Sequence, residues 1–201
     1  MQKRLARIFI ISLIGLLIAA YAAWVTGSIP DKPDYKPSVA GVKIGGPFEL
    51  VDHNGKAVTD KDYAGKYKLI FFGFTYCPAI CPAELQKITS VMNALDENTA
   101  KAIQPLFITI DPERDTPEVM KDYVSLFSDK IIGLTGSRPQ IDKVINDYKI
   151  YAQKVEDPDY NDYMMDHSAN IYLMSPDNEL SLIFKRTDKV KEIVEKIQTH
   201  L

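Results

Sequence analysis

An α/β sandwich with a mixed central sheet, preceded by a single transmembrane helix, is the fold class the sequence predicts. Two observations carry this. Residues 8–25, IFIISLIGLLIAAYAAWV, form one uncharged run interrupted only by Ser12 and Gly15. From about Gly45 onward, short apolar strands alternate with helical patterns and close in a hairpin followed by a helix, the order expected of an α/β layer structure. The 201 residues are 46% hydrophobic and 25% charged, which suits one globular domain plus an extra segment rather than a disordered chain. Two cysteines exclude a disulfide-dense scaffold and a four-cysteine zinc or iron–sulfur site. A net charge of −3 gives no footing for nucleic acid binding.

The elements follow in order. Eighteen helical residues over 8–25 rise roughly 27 Å, close to the hydrocarbon thickness of a bilayer. Lys3, Arg4 and Arg7 precede the run, and Tyr21 and Trp24 close it. This pattern keeps the N-terminus in the cytoplasm and exports the rest. Ala20-Tyr21-Ala22 resembles a signal-peptidase site, but the apolar run is longer than a usual signal core of about 7–15 residues. Both readings export the domain. No Arg- and Ser-rich transit sequence comes before the run, which favours a bacterial inner membrane with a periplasmic domain over a mitochondrial setting. Residues 26–44 carry Pro30, Pro33 and Pro37 and read as an extended tether. Residues 1–25, 26–44 and 45–201 are thus anchor, tether and domain. Without the three leading bases, 21 basic residues face 27 acidic ones, so the exported part is acidic.

Within the domain, residues 48–51 and 57–58 flank the turn Asp52-His53-Asn54-Gly55, a hairpin signal. Residues 68–74 are a near-continuous apolar run, as in a strand buried on both faces. A helix is expected from about Pro82 to Leu95, with Leu85, Ile88, Val91, Met92 and Leu95 on one side. A strand at 105–110 precedes a helix at 117–127, opened by Thr116 with Pro117 in its first position. Residues 131–134 form a short strand, 139–148 a helix, and 149–155 an extended segment. Strands at 170–174 and 180–184 make a second hairpin, and the last helix covers 188–199.

The chemistry-bearing residues are Cys77 and Cys81, in Thr75-Tyr-Cys-Pro-Ala-Ile-Cys-Pro82. The segment lies between a buried strand and a helix, where ligands gather in α/β sheets. A helix start favours thiolate over thiol. Spaced by four, the two side chains share a helical face, and their sulfurs suit one metal ion or one disulfide. In an oxidising compartment a close pair oxidises unless it is reduced or metal-bound. A purely structural disulfide is the blandest reading, and a five-residue loop is a poor staple.

Three histidines are available as a further ligand. His53, in a turn, and His200, near the C-terminus, read as solvated surface residues. His167, in Tyr163-Met-Met-Asp-His-Ser-Ala169 before a strand, is either a loop histidine satisfied by Asp166 or the third ligand, delivered by a loop. Two thiolates and an imidazole are a soft set that suits Cu(I), with Zn(II) as an alternative that would want a fourth ligand. Met164 and Met165 are further soft donors, though methionine more often fills gaps in a core.

Four blocks carry a family resemblance: Gly73-Phe-Thr-Tyr-Cys-Pro-Ala-Ile-Cys-Pro82, Thr109-Ile-Asp-Pro-Glu-Arg-Asp-Thr-Pro117, Gly133-Leu-Thr-Gly136 and Asp166-His-Ser-Ala-Asn-Ile-Tyr172. In these the chain resembles the Sco/SenC family of membrane-tethered copper chaperones of cytochrome c oxidase assembly. The resemblance implies a thioredoxin-like fold, copper as the bound metal, and Cys77, Cys81 and His167 as its ligands. It implies that Asp111 is a functional carboxylate near the site; Asp166 and Asp111 are expected to orient His167 and shape the electrostatics. The implied partner is the copper-binding subunit of the oxidase, with other copper carriers or thiol reductants upstream. Tyr76 and Ala79 depart from the family, which usually has His and Asp there.

The rival class is an enzyme. A thioredoxin-like domain with the redox pair Cys77 and Cys81 would be a thiol–disulfide oxidoreductase, reducing the cysteines of the oxidase copper site or another exported disulfide. Thioredoxin-type reductases use CxxC, one residue shorter than the spacing here. Peroxiredoxins place Thr three residues before the reactive Cys, whereas Thr75 lies two before Cys77. Neither chemistry needs His167.

Overall fold

Seven strands form the central sheet of the computed structural model, in the order β2-β1-β5-β4-β3-β8-β9. The structure describes Ser12, Leu13, Gly15, Leu17, Tyr21, residues 43–156 and residues 162–201. The strands are β1 (Glu49–Asp52), β2 (Ala57–Thr59), β3 (Tyr67–Gly73), β4 (Ile103–Thr109), β5 (Ile132–Thr135), β8 (Ile171–Met174) and β9 (Leu180–Phe184). β4 pairs in parallel with both β3 and β5, and the remaining pairs are antiparallel. The sheet is therefore mixed, as the alternation of strands and helices predicts. Two further strands, β6 (Ala152–Glu156) and β7 (Tyr163–His167), pair only with each other.

The helices are α1 (Ile80–Ala94), α2 (Glu97–Ala102), α3 (Pro117–Ser125), α4 (Arg138–Tyr148) and α5 (Val190–His200), with a 3-10 turn at Asp60–Tyr63. Thr116 caps α3 by accepting the Val119 N–H, with Pro117 in the first turn, as the sequence indicates. α1 begins at Ile80, two residues before the expected start, so Cys81 lies in its first turn. Cys77 precedes the helix rather than sitting on it. α2 has no counterpart in the sequence reading. It is six residues long and buries none of them, so no apolar period announces it; only the Asp96 cap, which accepts the Asn98 and Thr99 N–H groups, marks it.

The core lies on both faces of β3 and β4, where Leu69, Ile70, Phe71, Phe72, Leu106, Phe107 and Ile108 are fully buried. This is the pattern of a central strand covered by helices on each side. Residues 43–201 make one compact unit. Within residues 8–25, expected to be the anchor, Ser12, Leu13, Gly15, Leu17 and Tyr21 are helical. The rest of 8–25, and the tether up to residue 42, lie outside the described residues. Among the described residues no helix is long and apolar enough to cross a membrane.

Candidate metal centre

β3 runs out at Gly73, and the chain turns through Thr75 and Tyr76 to reach Cys77. The turn is closed by a Cys77 N–H to Phe74 carbonyl bond of 3.4 Å. α1 has no side-chain cap from Ala79. One of its first-turn backbone donors is met instead by sulfur: the Cys81 N–H points at Cys77 Sγ over 3.4 Å. The two cysteines meet because the first caps the helix that carries the second, not because both ride one helical face.

Cys81 is pressed against the strand behind it. A Cβ on Gly73 would lie 2.7 Å from Cys81 Sγ and about as close to the rings of Phe71 and Phe107. Only glycine leaves the sulfur its place. Cys77 and Cys81 are both unpaired thiols. They titrate as one coupled pair. The Cys81 side chain donates to Cys77 and, with His167 and the backbone of Cys81 and Ala79, outweighs the cost of burial, drawing the Cys77 pKa down to about 3. The Cys81 thiol is pushed far up by that same bond, by burial and by the neighbouring Cys77 charge. The pair is thus drawn apart, Cys77 toward the thiolate and Cys81 toward the thiol.

His167 reaches the pair from the other side. It ends β7, so a strand rather than a loop delivers it. Alternation along β7 places Tyr163, Met165 and His167 on one face, and Met165 is buried in the core. The methionine acts as filling, and the imidazole stands at the end of that face. His167 Nδ1 lies 2.9 Å from the Ser168 carbonyl. A carbonyl only accepts, so Nδ1 donates there and Nε2 is the ring atom turned to the sulfurs. Nε2 sits 3.6 Å from Cys81 Sγ. Phe74 and Phe71 hold the ring edge-on, with centroids 5.8 Å and 6.3 Å away.

The ligand atoms of Cys77, Cys81 and His167 all lie within 4.8 Å of one another. A three-coordinate ion about 2.2 Å from each donor sets the donors about 3.8 Å apart. The arrangement is close to that before any ion enters. Among the described residues this is the one cluster of three or more such side chains.

The supporting carboxylates differ from the expectation. Asp166 is exposed on the opposite face of β7 from His167. The imidazole is oriented by the Ser168 carbonyl instead. Asp111 is fully buried, but its oxygens accept from Arg114 Nε at 2.6 Å and from the Tyr163 hydroxyl at 2.8 Å, not from the histidine. The buried carboxylate that touches the cysteine turn is Asp115. It accepts the Thr75 N–H at 3.1 Å, the Thr75 hydroxyl at 2.6 Å and the Thr109 hydroxyl at 2.5 Å. Burial raises its pKa, while these hydrogen bonds pull it back. Asp115 stands in the second family block, but nothing local in the sequence distinguishes it from Asp111.

His53 is also bonded more firmly than a solvated turn histidine. Its Nδ1 accepts the Gly133 N–H at 2.9 Å, and burial lowers its pKa. That bond ties the β1–β2 turn to β5. His200 is exposed, with its ring 6.3 Å from Tyr67.

Comparison with known proteins places these features in a lineage. The SCO1/SenC family model matches residues 37–201. The human mitochondrial SCO1 homolog is 44% identical over 159 residues, covering 79% of this chain and 53% of that protein. A SCO2-like protein of Rickettsia prowazekii is 40% identical and is matched over 97% of both chains. The chain thus spans about half the length of the mitochondrial relative and nearly all of the bacterial one. A solved structure of copper-bound ScoI from Bradyrhizobium japonicum is 46% identical, with a TM-score of 0.71 over 79% of this chain and 99% of the other.

Proposed function

The chain belongs to the SCO1/SenC family, and from that footing we propose that it is a membrane-anchored metallochaperone that carries copper to the copper site of cytochrome c oxidase. The observation that carries the reading is the mutual approach of Cys77, Cys81 and His167 within 4.8 Å. Two thiolates and a neutral imidazole match the softness and low coordination number of Cu(I). Copper-bound ScoI at 46% identity supports the choice of metal.

Copper is cargo, and delivery is ligand exchange without net electron transfer. Loading releases thiol protons, since both sulfurs must be thiolates to share the ion. A thiolate on the receiving protein takes up the ion as the imidazole leaves, and the two cysteines follow in turn. The receiving protein is the copper-binding subunit of the oxidase. Residues 8–25 anchor the chain in a bacterial inner membrane, the acidic domain stands on the periplasmic side, and the tether sets its reach.

Thiol–disulfide exchange is the second reading. It is favoured by one feature: Cys77 is drawn toward the thiolate beside a second free cysteine. The same residues would reduce a disulfide in the target before metal arrives. Anaerobic Cu(I) titration of the reduced domain, followed by X-ray absorption, separates the two. One copper per chain with two sulfurs and one nitrogen is expected. His167→Ala should keep the sulfurs, lose the nitrogen and weaken copper about 10–100-fold. An unaltered ligand set in that variant would remove His167 from the site.

A further inference from the structure

The three ligands stand on two separate pieces of chain. Cys77 and Cys81 belong to the exit of β3 and the start of α1, within the core. His167 belongs to the β6–β7 ribbon, which has no strand partner in the main sheet. Whatever fixes the ribbon against the cysteine turn therefore decides whether the third ligand is present.

Besides the packing of His167 on Phe71, Phe74 and Cys81, the polar contacts between them converge on one short loop, residues 111–115, at the end of β4. Asp115 holds the cysteine turn through Thr75. Asp111 holds the ribbon through the Tyr163 hydroxyl. Arg114 joins the two. Its Nη1 donates to the Tyr163 carbonyl at 2.9 Å and to Asp162 at 3.3 Å, and its Nε donates to Asp111. The guanidinium lies 3.8 Å from the centroid of the Tyr163 ring and 4.8 Å from that of Tyr76, the residue next to Cys77. It also stands 5.9 Å from Phe74, whose ring meets His167. Nη2 is buried with no hydrogen-bond partner among the described residues. Lys154 adds an outer tie, to Glu113 at 2.6 Å.

We propose that Arg114, clasped between the rings of Tyr76 and Tyr163, is the positioning residue that latches the histidine ribbon onto the cysteine turn and so sets how long copper keeps its third ligand. The inference rests on the copper reading above. A flat, permanently charged guanidinium suits the role because it stacks on aromatic faces while its edges donate in a fixed fork; a lysine ammonium cannot do both. Tyr76 gives the clasp its outer wall. It is 51% exposed, so a partner docking over Cys77 touches this ring. Displacing it loosens the ribbon, withdraws His167 and leaves copper on two thiolates, the state from which an incoming thiolate takes it. The clasp and the release are one device.

Cu(I)-loaded wild type, Arg114→Ala, Arg114→Lys, Tyr76→Ala and Tyr76→Phe proteins test this. The readouts are the X-ray absorption edge, which distinguishes two- from three-coordinate Cu(I), and the rate of copper loss to a chromophoric Cu(I) chelator. Arg114→Ala and Arg114→Lys should move toward the two-coordinate edge and lose copper roughly 5–30-fold faster, the range expected for losing a stacked, partly buried cation. Tyr76→Ala should shift the same way by less, and Tyr76→Phe, which keeps the ring, should match wild type. Three-coordinate copper leaving Arg114→Ala at the wild-type rate would overturn the latch. If Arg114→Ala fails to fold, the exposed Tyr76→Ala decides: an unchanged release rate there rejects it. If the wild type takes up no stoichiometric Cu(I), the copper reading fails on its own. The latch is then judged on the metal-free protein by amide exchange of residues 163–167, expected to quicken in Arg114→Ala; equal protection would reject it.

Discussion

The cysteine turn and the histidine ribbon supply one site but are built on opposite principles. The turn is continuous with β3, buried from Lys68 to Gly73, and with α1, and Cys81 is packed against the backbone of Gly73. The ribbon is two strands paired only with each other, and Gln153, Lys154, Val155 and Glu156 of β6 are all exposed. Side chains, not a sheet ladder, bring it to the turn. The thiolates are thus part of the fold, whereas the imidazole is an attachment to it. In the proposed copper transfer, the detachable ligand is the neutral one, whose departure moves no charge.

The strongest way to break this contrast is through Cys81. Cys81→Ser replaces a soft donor by a hard one at the immobile end of the site. Copper should fall from about one equivalent per chain to near zero in titration with a competing chelator. A variant that still held its copper would show that the turn is not the anchor.

The next effect is on stability. Asp115→Ala leaves the Thr75 N–H and hydroxyl and the Thr109 hydroxyl without their shared acceptor. A loss of about 2–4 kcal/mol in denaturant unfolding is expected, in line with stranded buried donors. A change under about 0.5 kcal/mol would place it among ordinary surface substitutions.

A pH series tests the charge on the turn. The Cys77 pKa is lowered in the folded protein. Its contribution to stability is therefore fully present above the unfolded value of about 8.5 and is lost as pH falls toward the folded value. Cys81 is raised, so its contribution holds below the unfolded value and is lost as pH rises past it. The metal-free protein should then be most stable near pH 8–9. One thiolate per chain should persist, by ultraviolet absorbance, to below about pH 5. Cys77→Ser should abolish that absorbance. Persistence of the signal would mean the charge sits elsewhere.

The smallest effect is expected at Asp166. It is exposed and faces away from the imidazole, so Asp166→Asn should leave Cu(I) affinity within about twofold. A tenfold loss would return it to the role that its place beside His167 suggests.

How much of this was readable in advance follows the same division. β3, α1 and the cysteine pair are legible because buried elements write their environment into apolar runs and periods. The ribbon is not. Tyr163-Met-Met-Asp-His167 mixes polar and apolar residues, and β6 exposes nearly all of its length. His167 could therefore be placed beside a strand but not at the end of one. Asp111 and Asp115 are four residues apart in one motif. Which of them serves the cysteine turn depends on where Thr75 and Arg114 lie in three dimensions. The Tyr76–Arg114–Tyr163 stack joins residues up to 87 positions apart, and no local pattern forecasts it.

The packing of Cys81 against Gly73 also governs how the protein ages. Each oxygen added to a sulfur, from sulfenic to sulfinic to sulfonic acid, needs new volume around it. Cys81 is fully buried, and a Cβ on Gly73 behind it would already collide with its sulfur. Cys77 has the lowered pKa and the remaining access to solvent. Peroxide damage therefore starts at Cys77, the outer wall of the site, and spares the sulfur that the core encloses.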